Sequence, residues 1–206
     1  MKVLALELSS TRGSVALLQD GNEVLVREFP NDRHDSAAFF EAVAEMSQNN
    51  SGLDSIVVGL GPGSYAGTRI AISTATGLRF ATGAALVGLP SICAFDVPDR
   101  EYCAIGDARR KSFWIAMIRD AVCVEMPQLV NESELRARLG ALHAPAYSSE
   151  SLPQFASVVP AFPSARRLAR ISFSDHPNIA PSPLQPLYLR EAHITVSKQP
   201  VWKHAS

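Results

Sequence analysis

The sequence predicts an α/β fold with mixed sheets, laid out as two related lobes, residues 1–98 and 99–190, the second reduced. Three observations lead there. Strand-like apolar runs alternate with helical patterns through the first hundred residues. Gly61-Pro62-Gly63-Ser64 joins a buried strand to a helix. A strand, an acidic residue, a polar turn and a second strand open both halves.

Residues 3–8 are apolar from the outset, as a buried strand is. Residues 14–19 and 23–29 supply two more strands. Asp20-Gly21 between them is a hairpin signal, because a tight primed turn needs positive φ, which Gly accepts and Asp tolerates. The three strands read as an antiparallel meander. Residues 34–48 have helical periodicity. Asp35 or Ser36 can cap that helix, and Phe39, Val43 and Met46 fall on one face. Ile56-Val57-Val58 is the continuous apolar run of a strand buried on both faces. Residues 65–81 form a second helix, and 85–89 a strand ended by Pro90.

In the second half, Tyr102-Cys103-Ala104-Ile105-Gly106-Asp107 runs into Ala108-Arg109-Arg110-Lys111 and then into an apolar strand at 113–118. This echoes Leu4-Ala5-Leu6-Glu7, Ser9-Ser10-Thr11-Arg12 and the strand at 15–18, and suggests a duplicated lobe. Residues 132–139 read as a helix capped by Asn131. Nine of the fourteen prolines follow residue 144, at 145, 153, 160, 163, 177, 181, 183, 186 and 200. Proline removes a donor and fixes φ, so long regular elements are not expected there. Residues 165–173 read as a short helix, and 191–206 as a tail that is a candidate for disorder.

The 206 residues are 47% hydrophobic and 19% charged, with a formal net charge of -1. Such a chain has no overall basic field, which argues against tight autonomous nucleic-acid binding. Cys93, Cys103 and Cys123 are odd in number and lack CxxC spacing, so reduced buried thiols and a cytoplasmic protein are expected. Glu7 interrupts the first apolar run before it could serve as a signal sequence. No stretch is long and apolar enough to span a bilayer.

Local catalytic motifs are absent. There is no Walker A sequence, no Gly-x-Ser-x-Gly elbow and no histidine pair at helical spacing. Two turns remain. Glu7, with Ser9, Ser10 and Thr11, either holds hydrated Mg²⁺ and touches a phosphate, or is a strand-end acid beside a solvated turn. Gly61 to Ser64 either exposes helix N–H groups to an anion or packs a tight strand–helix corner. The helix that follows is rich in small residues: Ala66, Gly67, Ala71, Ser73, Thr74, Ala75 and Gly77. Gly77 costs about 1 kcal/mol against Ala in a helix interior, but small side chains admit a neighbouring helix, from this chain or from another protein. Asp107 and Arg109 either orient a ligand or brace a hairpin. Arg166, Arg167 and Arg170 suit a solvated helix face as well as RNA.

Taken together, these residues resemble a known family. Leu4-Ala5-Leu6-Glu7-Leu8-Ser9-Ser10-Thr11 resembles its opening motif, and His34 fits a position before the first helix. Gly61-Pro62-Gly63-Ser64-Tyr65-Ala66-Gly67-Thr68-Arg69-Ile70 resembles its most specific signature. Asp107-Ala108-Arg109 and Pro186-Leu187-Tyr188-Leu189-Arg190 complete the series in order. The family is TsaB, or YeaZ, of bacterial tRNA threonylcarbamoyladenosine biosynthesis. The resemblance implies an actin-like fold of the acetate kinase, sugar kinase and Hsp70 class, in two duplicated lobes. It implies a non-catalytic partner of TsaD, the paralogue that carries the metal and transfers the threonylcarbamoyl group to N6 of adenosine 37 in tRNAs reading codons that begin with A. TsaE, a P-loop ATPase, joins the complex. ATP and metal therefore belong to partner subunits, and tRNA is met only through the complex.

On this basis the expected partner surface comprises Phe40, Arg69, Ile70, Ser73, Thr74 and Gly77, and it also suits a homodimer. Gly61, Pro62, Gly63, Ser64, Gly67 and Arg69 form the structural motif. Glu7, Ser9, Ser10, Thr11 and Asp107 are the candidate nucleotide contacts, with no catalytic or metal residue. Glu7 departs from the Asp usual in the family, and the short second lobe departs too; both suit a scaffold better than an enzyme. Two rivals remain. One is a small ATP-dependent phosphotransferase of the same fold. The other is a tRNA-binding module using Arg109, Arg110, Lys111, Arg166, Arg167 and Arg170.

Overall fold

The computed structural model describes residues 1–31, 36–48, 52–174 and 176–189. The chain opens with β1 (Lys2–Glu7), β2 (Arg12–Gln19) and β3 (Asn22–Pro30), an antiparallel meander. Asp20 and Gly21 have φ of 51° and 81°, as the hairpin reading required. Then come α1 (Ala37–Gln48), β4 (Ser55–Gly59), α2 (Tyr65–Thr82) and β5 (Ala85–Leu89). The helix expected from residue 34 thus begins at Ala37, and His34 and Asp35 lie outside the described residues. β4 joins β1 in parallel and β5 joins β4 in parallel.

A helical turn, Ser91–Ala94, leads to the second sheet. β6 (Glu101–Asp107), β7 (Ser112–Arg119) and β8 (Val122–Asn131) form a second antiparallel meander. After α3 (Glu132–Ala141), β9 (Ala146–Ser148) joins β6 in parallel, and β10 (Val158–Pro160) joins β9. Then follow α4 (Ala165–Ile171) and β11 (Ala180–Pro181). The first sheet runs β11-β5-β4-β1-β2-β3 and the second β10-β9-β6-β7-β8. Apart from β11 the order is the same in both, so the weak echo in sequence marks a duplicated lobe. β8 has no counterpart in the sequence reading: Pro127 lies inside it and its burial is irregular. An edge strand with register shifts tolerates both.

Strand alternation separates two layers of core. Leu4, Leu6, Val15, Leu17, Ile56 and Val58 pack against Phe39, Val43 and Met46 of α1 and Ala71 and Ala75 of α2. Val3, Ala5, Ala16, Leu18 and Val57 pack against Ala165, Leu168 and Ala169 of α4. The chain therefore returns from the second sheet to the first, which carries helices on both faces. Among the described residues no helix is long and apolar enough to cross a membrane. The tail expected at 191–206 lies outside the described residues.

Candidate functional site: the inter-lobe cleft and the outer helix face

The glycine-rich junction is packed against the β1–β2 turn. A Cβ on Gly63 would lie 2.1 Å from the Ser9 carbonyl oxygen, and one on Gly67 2.1 Å from that of Leu8. Gly61 has φ of 87°, which a side chain rarely adopts. The Ser64 amide donates to Ser9 O at 2.6 Å. Ser64 is the helix cap, its Oγ accepting from Gly67 N at 3.2 Å. Gly61 N donates to Ser91 Oγ at 2.9 Å, and Ser91 N returns a bond to Gly61 O at 2.8 Å. Of the two readings of this motif, close packing at a corner is the one the geometry supports.

Glu7 continues the alternation of Val3 and Ala5 and is fully buried. One carboxyl oxygen accepts from Ser9 N at 2.6 Å. The other occupies the space over Gly59, where a Cβ would come within 1.8 Å of it. Burial pushes the Glu7 pKa up, with hydrogen bonds from Ser9 and Ser91 pulling the other way. A divalent cation needs the charged carboxylate, which this site disfavours. The solvated-turn reading also fails, because Ser9 and Ser10 are buried and only Thr11 is exposed.

Above Glu7, a cleft of about 740 Å³ separates the two meanders. Ser9, Ser10, Thr11, Gly63, Ser64, Asp107, Arg109 and Glu150 are among its lining residues; Glu7 is not. The fold thus gathers four of the five candidate nucleotide contacts. Their turn amides are already engaged: Arg12 N donates to Ser10 Oγ at 3.2 Å, and Arg109 N to Asp107 Oδ1 at 2.7 Å. Asp107 N donates to Glu150 Oε2 at 2.6 Å, a contact invisible in sequence because Glu150 follows a lone serine run. Asp107 Oδ2 also pairs with Arg109 Nη1 at 3.0 Å, so this pair braces the turn. Arg109, Arg110 and Lys111 all have positive φ, between 55° and 65°.

The outer faces of α1 and α2 lie side by side over the first sheet. Phe40, Arg69, Ser73 and Gly77 of the expected surface are exposed. Ile70 packs on the core and Thr74 is half-buried. The small residues of α2 divide: Gly67, Ala71 and Ala75 face its own sheet, while a Cβ on Gly77 would meet open space. Phe80, 84% exposed, was missed, although it stands three residues beyond Gly77 on the same stripe. Tyr65 was missed as well. Its ring lies 5.1 Å from the Arg69 guanidinium and 5.7 Å from the Tyr188 ring. Elsewhere, Arg166 and Arg170 pair with Glu23, and Arg167 with Asp96. Among the described residues no three His, Cys, Asp or Glu cluster as metal ligands would.

A family model described as TsaD, tRNA N6-adenosine threonylcarbamoyltransferase, matches residues 36–122. The tRNA threonylcarbamoyladenosine biosynthesis protein TsaB of Haemophilus influenzae is 24% identical, over 97% of this chain and 98% of that protein. An uncharacterized protein of Mycobacterium leprae is 28% identical over 72% of this chain, which spans 42% of that relative's length. Among solved structures, YeaZ from Pseudomonas aeruginosa superposes with a TM-score of 0.71 at 21% identity, covering 91% of this chain and 99% of that one. Another, with similarity to peptidase YEAZ and from the same organism, gives 0.72 at 22% identity, covering 92% and 99%.

Proposed function

We propose that the chain is a TsaB-type (YeaZ) protein, a non-catalytic scaffold subunit in tRNA threonylcarbamoyladenosine formation that binds and organises TsaD; its likeness to the TsaB of Haemophilus influenzae over 97% of the chain supports this. The modification is threonylcarbamoyl-N6-adenosine at position 37 of tRNAs reading codons that begin with A. The observation that carries this reading is the outward stripe of Phe40, Arg69, Ser73, Gly77 and Phe80 on the paired helices. Large aromatic side chains beside small ones offer knobs and a close-approach seam to helices of a partner. A stable interface of this kind buries about 1,200–2,000 Å² in total. In the absence of TsaD the same face would pair two copies about a two-fold axis. TsaE joins the complex, tRNA is met only through it, and the site of action is the cytoplasm.

The rivals find less support. A phosphotransferase would want a charged acid under the first turn and free amides in the cleft, whereas Glu7 is buried and the amides named above are engaged. A tRNA-binding module would want free cations, whereas Arg166, Arg167 and Arg170 are in ion pairs. The test is Ser73→Arg, a bulky charge at an exposed position that leaves the core untouched. Co-purification with TsaD should fall at least tenfold while thermal stability is kept. Undiminished capture by the folded variant would remove α2 from the interface.

A further inference from the structure

Tyr65 and Tyr188 stand beside the cleft and are 54% and 53% exposed. Tyr65 is the first residue of α2, directly after the cap Ser64. Tyr188 is pinned by both of its chain neighbours. Leu187 N donates to Leu60 O at 2.8 Å, and Leu189 packs against the core of the second sheet. The two rings lie 5.7 Å apart, with their planes 40° from parallel. The Arg69 guanidinium covers the Tyr65 ring at 5.1 Å and donates to its hydroxyl. Arg109 and Tyr65 line both the cleft and a smaller hollow of about 220 Å³ beside it, which Tyr188 also lines.

The charge on these elements is positive. Arg109 is matched by Asp107, and the other acid lining either hollow is Glu150. Arg110 and Lys111 follow in the β6–β7 turn, are exposed, and meet no acid among the described residues. Arg69 is exposed too and likewise meets none. They differ in this from Arg166, Arg167 and Arg170, whose charges are matched by Glu23 and Asp96. Three unmatched cations therefore sit on α2 and the β6–β7 turn, which wall the hollow, in a chain whose formal net charge is -1.

We propose that Tyr65, Tyr188 and the β6–β7 turn form a contact site for an unpaired segment of RNA. The inference rests on the scaffold reading, which brings tRNA to the assembled complex, and names where this chain touches it. Bases stack on exposed aromatic faces, while guanidinium and ammonium groups follow the phosphates. The two rings already touch each other, so a base is received on their outer faces and not between them. The cap of α2 and the anchors at Leu187 and Leu189 fix the rings before binding, so little freedom is lost on contact. Paired RNA hides its base faces within the stack, so loops and ends are the forms that fit. The site is separate from the proposed TsaD surface at Phe80, which stands near the opposite end of α2. With only three unmatched cations the chain alone binds weakly, and the contact orients RNA already held by the complex.

The experiment uses the full chain bound to TsaD and a fluorescently labelled tRNA, with affinity read by anisotropy across a salt series. Tyr188→Ala and Tyr188→Leu should each weaken binding about five- to hundredfold, whereas Tyr188→Phe should not. The double variant Arg110→Gln, Lys111→Gln should lower the slope of log affinity against log salt by about 1.4. All of these variants should still capture TsaD. Loss of that capture in folded Tyr188→Ala would make the rings part of the protein interface and overturn the proposal. Unchanged RNA affinity in both the Ala and Leu variants would overturn it too, as would equal competition by a fully paired RNA duplex. Failure of the parent chain to capture TsaD would instead end the scaffold reading. The same titrations on the full chain alone would then decide the RNA contact by the same variants.

Discussion

The two lobes share one strand order and differ in what covers it. Between β4 and β5 the first lobe inserts the helix Tyr65–Thr82. Between β9 and β10 the second lobe has no helix, and Leu152 and Phe155 of the connecting segment drop into the core instead. Phe155 meets Phe113 edge-on at 5.1 Å and is covered by the Arg136 guanidinium. One lobe therefore spends its crossover on an outward helix surface, the other on a plug. The turns at the strand ends differ as well. The first is sealed from below by a buried acid, whereas the second is braced by an Asp–Arg pair and closed from the side by Glu150. A duplicated frame kept its hydrogen-bond ladder and the helix before its fourth strand, and diverged in the crossover after that strand and in the turns at the strand ends.

The strongest challenge to this comparison is Phe155→Ala. If the plug stands in for a helix, removing it should cost about 3–5 kcal/mol, read as a fall in the urea midpoint at constant slope. A loss below 1 kcal/mol would mean that the second lobe does not depend on it. Next comes a pair of glycines on one helix. Gly67→Ala drives a Cβ into the Leu8 carbonyl and should cost about 1–3 kcal/mol despite better helix propensity. Gly77→Ala meets nothing and should gain up to about 1 kcal/mol. Equal effects on thermal unfolding would erase the division of α2 into a packed and an open face.

The smallest effect concerns Glu7. Its folded pKa is raised by burial, so the folded state holds the proton more tightly than the unfolded chain does. That contribution is fully present below the unfolded carboxyl range and is lost as pH rises through the raised folded pKa. Glu7→Gln keeps the shape without the titration. It should flatten the pH dependence of stability over that window and be at least as stable as the parent at neutral pH. An unchanged slope in denaturant titrations across pH would place the charged form of Glu7 in the native state.

Much of this was legible locally. Ser64 and Asn131 announced two helix starts, and both side chains accept the expected amide bonds, Asn131 within a capping box. Asp20-Gly21 fixed a hairpin, and β1 and β2 stood out as near-continuous apolar runs because both strands are buried on both faces. β8 was not legible, since an edge strand with Pro127 carries little periodicity. Nor was Phe80 singled out: a lone exposed aromatic is ordinary in sequence, and becomes informative only once its neighbours on the helix face are seen to be open.

By itself the sequence determined the α/β class, the repeated strand–turn–strand unit and the glycine-rich strand–helix junction, because those depend on contacts between near neighbours. The tertiary structure decided how the pieces are used. It buried Glu7 over Gly59, turned Gly67, Ala71 and Ala75 of α2 inward, and returned α4 and β11 to the first sheet. It also set Glu150 on the amide of Asp107 and Asn178 on the amide of Cys123. Each of these joins residues far apart in the chain, where burial and packing choose the partner and no local pattern records the choice.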